Sequence, residues 1–206
     1  MNMELFGQDM SIEKMAVLGA GQMGNGITQV AACAGIEVVM IDIKQDFVDR
    51  GIATIEKSLA KLVSKERMSQ EDADAARARI STAIDRSSCA DADLVVEAVP
   101  EILDLKLSIF AELDGICKPE CILATNTSSI SISEIAAATS RPSQVIGMHF
   151  MNPVPIMKLV EVINGKDTSE DVTTTVLAAA EKMGKIPLMC NDSPGFVSNR
   201  ILCPMI

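Results

Sequence analysis

Residues 14–42 constrain the fold more than any other stretch. KMAVLGAGQMGNGITQVAACAGIEVVMID contains an apolar run, three glycines at Gly19, Gly21 and Gly24, a helical pattern closed by Gly35, and a second apolar run ending at Asp42. The spacing predicts a strand over 14–21, a helix over 22–35 and a strand over 37–42. In that order, GxGxxG has a physical meaning: the first glycine makes the tight turn, the second admits a pyrophosphate, and the third lets helix and strand pack closely. The first-turn N–H groups of the helix attract phosphate. Asp42 can accept hydrogen bonds from an adenosine ribose and would repel a 2′-phosphate, which favours NAD over NADP. Lys44, two residues on, reads as a solvated helix-start lysine. The bland alternative is a glycine-rich turn that binds nothing.

The alternation continues along the chain. Residues 44–68 form a long amphipathic pattern, and 69–80 start another helix behind Ser69 with an acid three positions on. Strands are expected at 93–99, 121–129, 145–150, 157–163 and 186–190. Helices are expected at 105–117, at 169–183 and after Pro194. Strands alternating with helices predict a doubly wound, Rossmann-type α/β fold with a mostly parallel sheet covered on both faces. Residues 1–11 read as a loose tail, 12–193 as a nucleotide-binding domain and 194–206 as the start of a helical region.

Composition agrees with a buried parallel sheet. Of 206 residues 48% are apolar, carried by aliphatics and Met, with no Trp, no Tyr and five Phe. The net charge of −10 argues against nucleic-acid or anionic-surface partners. Six scattered cysteines without CxxC or zinc spacing predict reduced, buried thiols in a cytoplasmic protein, with no metal. No leader or bilayer-length apolar run is evident.

The chain uses histidine once, at His149, in HFMNPVPIMKLVEV. A lone histidine is often structural. If 145–150 and 157–163 pair as antiparallel strands through the NPVP turn, Glu161 folds back towards His149. A base with a carboxylate partner is what hydride chemistry beside a nicotinamide requires.

VLGAGQMGNGI, DLVVEAVPE, ATNTSSI, GMHFMNPVPIMKLVEVI and DSPGFVSNRIL, in this order and spacing, resemble the 3-hydroxyacyl-CoA dehydrogenase family, with its short-chain 3-hydroxybutyryl-CoA branch nearest. The resemblance runs from about residue 14 to the end. It implies NAD-dependent, reversible oxidation of a (3S)-3-hydroxyacyl-CoA to the 3-oxoacyl-CoA in fatty-acid metabolism, such as β-oxidation. His149 would be the base and Glu161 its orienting partner. Ser128 and Asn199 would hold the reacting oxygen. Gly19, Gly21, Gly24, Gln22, Met23 and Asp42 would bind the cofactor's adenosine and pyrophosphate. Glu101 and Lys106 would line its ribose side, with Asn126 and Asn152 near the nicotinamide. Ser58 and Lys65 match positions that touch coenzyme A.

Each assignment has a structural alternative: Ser128 as a helix cap, Asn199 satisfying backbone, Lys65 as a solvated face residue. Asp192, Pro194 and Gly195 read as shaping the start of the last helix. Family members carry a further all-helical domain that forms a homodimer and closes over the acyl chain. It is absent from these 206 residues, so an exposed apolar surface is expected on the terminal helix. Two competing readings stand beside this one. One is a non-catalytic NAD-binding protein like the lens crystallins derived from the family; the other is a β-hydroxyacid dehydrogenase acting on free acids.

Overall fold

Eight short strands form one sheet, in a computed structural model that describes residues 11–202. All but Ser11 of the expected N-terminal tail lies outside the described residues. The strands are β1 (Lys14–Leu18), β2 (Glu37–Ile41), β3 (Ile80–Ala83), β4 (Leu94–Glu97), β5 (Ile122–Thr125), β6 (Val145–Phe150), β7 (Leu159–Asn164) and β8 (Ile186–Asn191). Their spatial order is β3-β2-β1-β4-β5-β6-β7-β8. The pairings are parallel except β6 with β7, and β8 runs parallel to β7. The order reverses direction between β1 and β4, which opens a crevice at the carboxyl ends of those strands.

The helices are α1 (Gln22–Cys33), α2 (Gln45–Ser64), α3 (Gln70–Ala78), α4 (Leu103–Ile116), α5 (Ile132–Ala136), α6 (Glu170–Lys182) and α7 (Ser198–Leu202). Strand residues alternate between two cores. Val17, Met40, Val96, Met148 and Val162 pack with α1, α2, α3 and α6, whereas Leu18, Ile41, Val95, Val145 and Ile163 pack with α4 and α5. Helix α2 buries Val48, Ile55 and Leu59, one stripe of an otherwise exposed helix. Ser69 caps α3 as expected, its hydroxyl accepting from the Asp72 amide at 3.0 Å.

Two expectations fail. The helix expected over 69–80 ends at Ala78, and Ile80 opens the unforeseen β3. ISTA is too short to show a period; its parallel pairing with β2 makes it a strand. Cys33, expected to be buried, is exposed at the end of α1, while Cys89, Cys117, Cys121 and Cys190 are buried free thiols. The expected apolar exposure on the terminal helix is present at Ile201, and Ile186, Leu188 and Met189 on β8 are exposed as well. No described helix is long and apolar enough to cross a membrane.

Candidate active site

The glycine loop leaves β1 at Leu18 and enters α1. Gly19 has φ +101°, and a Cβ there would lie 2.6 Å from the Ala98 carbonyl oxygen. Gly24 is tighter still, because its Cβ would sit 1.7 Å from the carbonyl oxygen of Gly19. Both are therefore required by the fold. Gly21 is different: its backbone is extended (φ −67°, ψ −169°), and a Cβ would meet nothing within 4 Å. The fold does not need glycine there, but a ligand approaching the α1 N-terminus would. That open position fits the pyrophosphate of a dinucleotide. No side chain caps α1 and no acid lies in its first turn, so its amides remain available.

The loop opens onto a groove of about 490 Å³ lined by Gly21, Gln22, Asn25, Asp42, Phe47 and Arg50. Asp42 is anchored by the Ala20 and Ile43 amides, each at 2.7 Å. Phe47 and Arg50 escaped the sequence reading; the guanidinium lies 4.8 Å from the ring centroid, an i,i+3 pair on the groove side of α2. Met23 is half-buried against the first core. Gln22 reaches across the cleft, donating to the Asn152 side-chain oxygen at 3.2 Å.

Behind the loops after β4 and β5 lies a buried ionic network. Lys106, 1% exposed, contacts Glu97 at 2.6 Å and Glu101 at 3.2 Å. Glu97 also accepts from the Thr125 hydroxyl and the Val99 amide, each at 2.7 Å. Glu101 accepts from the Ser128 amide at 2.8 Å and from the Thr127 hydroxyl. Of the two residues expected to line the ribose side, Glu101 is the outer carboxylate, while Lys106 is buried and engaged by two acids. Glu97 was missed, since an acid inside a buried strand has no local signal. Asn126 uses its side-chain oxygen to accept the Phe150 amide at 2.8 Å, tying β5 to β6.

His149 and Glu161 occupy directly opposed positions of the antiparallel pair β6–β7. Nδ1 lies 2.8 Å from Glu161 Oε2, with both residues buried. A carboxylate only accepts, so Nδ1 carries a proton, and in the neutral imidazole that leaves the lone pair on Nε2. The other oxygen, Oε1, accepts the Val197 and Ser198 amides at 3.1 and 2.7 Å. The Phe196 ring packs 5.9 Å from the imidazole. Ser128 is exposed, and its carbonyl accepts from Asn199 Nδ2 at 3.2 Å. Ser58 is half-buried on α2 and Lys65 is exposed just past its end, and neither is drawn into these contacts. Lys185, also unforeseen, is buried and donates to the carbonyl of Met157 at 2.9 Å and to that of Val154. Burial, with the Lys158 charge nearby, lowers its pKa to about 8.

Burial alone would raise the pKa of Glu161, but the hydrogen bonds from His149 and Ser198 outweigh it and hold the group below its ordinary value. Glu101 behaves likewise, with Thr127, Lys106 and Ser128 overcoming burial. A carboxylate with a lowered folded-state pKa binds fewer protons than in the unfolded chain. Its stabilisation is therefore complete above the ordinary value, about 4.3 for Glu, and is lost as pH falls through the folded value. The thermal midpoint is expected to be level between about pH 7 and 5 and to drop steeply below about pH 4. A midpoint unchanged down to pH 3 in calorimetry would contradict this balance.

The profile of the 3-hydroxyacyl-CoA dehydrogenase, NAD binding domain matches residues 14–193. A probable 3-hydroxybutyryl-CoA dehydrogenase of Deinococcus radiodurans is 55% identical over 193 residues, covering 94% of this chain and 69% of that protein. The chain belongs to the 3-hydroxyacyl-CoA dehydrogenase family. A second relative, from Bacillus subtilis and also described as a probable 3-hydroxybutyryl-CoA dehydrogenase, is 50% identical over 96% of this chain and 69% of its own length. The crystal structure of (S)-3-hydroxybutyryl-CoA dehydrogenase from Ralstonia eutropha superposes with a TM-score of 0.93 at 47% identity, covering 95% of this chain and 69% of that one. What this chain shares with these members of the 3-hydroxyacyl-CoA dehydrogenase family is the NAD-binding domain, the unit that holds the glycine loop.

Proposed function

We propose that this chain carries the cofactor-binding and proton-transfer machinery of an NAD-dependent (3S)-3-hydroxyacyl-CoA dehydrogenase, with 3-hydroxybutyryl-CoA as the substrate class. The observation that carries it is the buried His149–Glu161 pair on a sheet whose carboxyl-end crevice also holds the glycine loop.

Gly19, Gly21 and Gly24 form the pyrophosphate turn, with Gln22 and Met23 in its first helical turn, and Asp42 takes the adenosine ribose. Glu101, supported by Lys106, faces the second ribose, and Asn126 and Asn152 flank the nicotinamide half. Bound NAD supplies the acceptor for the hydride leaving C3 of the substrate. His149 Nε2 takes the hydroxyl proton in that oxidation and returns it in reduction. Glu161 holds the imidazole in the tautomer that leaves Nε2 free and stabilises the imidazolium once it forms. The Ser128 hydroxyl and the Asn199 amide steady the substrate oxygen as its charge changes. Ser58 and Lys65 on the α2 side serve the coenzyme A moiety. The balanced reaction is hydroxyacyl-CoA plus NAD⁺ giving 3-oxoacyl-CoA, NADH and a proton.

On this reading residues 12–193 are the cofactor unit and 194–206 open a helical region, which in a longer chain would form the dimer. Buried free thiols suit a cytoplasmic setting. The test compares acetoacetyl-CoA with acetoacetate, each with NADH, in a spectrophotometric assay. Oxidation of NADH with the thioester and none with the free acid is expected. Turnover of the free acid alone would overturn the substrate class.

A further inference from the structure

We propose that Asp192 is a positioning residue for this reaction, fixing the Ser128 loop and the His149–Glu161 pair relative to each other through the single segment 192–199. The inference rests on the functional reading above.

Asp192 stands just beyond β8, yet its carboxylate is filled from a segment about sixty residues earlier. Oδ1 accepts the Ile132 amide at 2.9 Å. Oδ2 accepts the Ser131 hydroxyl at 2.8 Å, the Ser133 amide at 2.9 Å and the Ser133 hydroxyl at 2.7 Å. These donors lie three to five residues after Ser128. The Ile132 and Ser133 amides are first-turn donors of α5 that the Ser131 cap leaves open, since that hydroxyl accepts only from the Glu134 amide at 3.3 Å; the two serine hydroxyls are donors beyond what the helix end requires. What Asp192 adds is a tie between the end of β8 and the junction where the Ser128 loop enters α5.

The residues that follow make the bond consequential. The Phe196 amide donates to the Ser193 carbonyl at 2.8 Å, and both Gly195 (φ +76°) and Phe196 (φ +49°) are left-handed. A bulky residue rarely adopts that conformation unless its surroundings impose it. Here the Phe196 ring is buried against His149. The turn aims the Val197 and Ser198 amides at Glu161, and one residue later Asn199 donates to the Ser128 carbonyl. Segment 192–199 thus grips the Ser128 loop at both ends and the base's carboxylate in the middle. The oxygen-holding hydroxyl and the proton acceptor come from different strands, and a displacement of either from its reacting geometry is costly to rate. The groups facing Asp192 from the packed elements are hydroxyls and amides, and their hydrogen bonds hold its pKa below the ordinary value against the opposing effect of burial.

The test is Asp192→Asn in the full 206-residue chain. The side-chain NH₂ that replaces one oxygen would face N–H and O–H donors it cannot accept from. Acetoacetyl-CoA reduction is expected to lose tenfold or more in kcat, while the Kd for NADH stays within twofold. The primary isotope effect with [4,4-²H₂]NADH is expected to rise, because a misplaced oxygen slows hydride transfer itself. Mere loss of folded protein lowers kcat without moving the isotope effect. Should Asp192→Asn fail to fold, Ser133→Ala removes one donor and is expected to give about a threefold loss with the same signature. Unchanged kcat, or a loss with an unchanged isotope effect, overturns the proposal. If the unsubstituted chain turns over no acyl-CoA, the functional reading fails first and this inference with it.

Discussion

Glutamine at position 149 is expected to lower acetoacetyl-CoA reduction by about 10²–10⁴-fold, the range a lost general acid–base contributes, while the Kd for NADH changes less than twofold. Glutamine keeps a donor that can reach Glu161 and roughly the bulk of imidazole, but it has no lone pair that takes up a proton near neutrality. Glu161 stays anchored in the variant, because the Val197 and Ser198 amides still hold its other oxygen. The groove is lined by the glycine loop, the start of α1, Asp42 and α2, whereas the imidazole's hydrogen-bond partner is Glu161 on β7. Turnover and binding should therefore separate. Stopped-flow turnover and NADH fluorescence titration check both halves. If NADH affinity falls along with turnover, the histidine is structural and the proposed mechanism loses its base.

The legible parts of this molecule were those whose signals are local. GxGxxG followed by an amphipathic pattern states its own geometry, since glycine spacing and helical period lie within a few residues. The antiparallel pairing of His149 with Glu161 could be read because the NPVP turn joins the two strands over a short distance. What stayed hidden depends on partners far away in sequence. β3 exists because β2 offers it a ladder, and nothing inside ISTA announces that. Lys106 was placed on the cofactor's ribose side and Glu97 was not singled out; that the fold buries the two together is not written in either segment. Asp192 was expected to shape the start of the last helix. Its four donors belong to residues 131–133, and no turn rule applied to DSPGF points there.

Two glycines three residues apart in the same motif are expected to respond in opposite ways to alanine, and the contrast separates fold from ligand. At Gly24 the added methyl would stand 1.7 Å from the Gly19 carbonyl oxygen and 2.7 Å from its carbon. Both are backbone atoms, so no flexible side chain can yield, and α1 must lift away from β1. Gly19 cannot yield either, because it is left-handed and already tight against Ala98. The expected cost is about 3 kcal/mol, the upper part of the overpacking range. For a chain of this length that lowers the melting temperature by about 6–12 °C and should abolish measurable NADH binding. At Gly21 a methyl meets nothing within 4 Å, and the backbone is extended and acceptable to any residue. Stability should fall by no more than about 1 kcal/mol, the usual difference at a helix N-cap. The methyl nevertheless projects where the pyrophosphate must approach the α1 amides, and the Kd for NADH should rise tenfold or more. Calorimetry and fluorescence titration on the two variants decide the matter. If Gly21→Ala binds NADH as the unsubstituted chain does, the cofactor does not lie over this loop, and Asp42 loses its assignment with it.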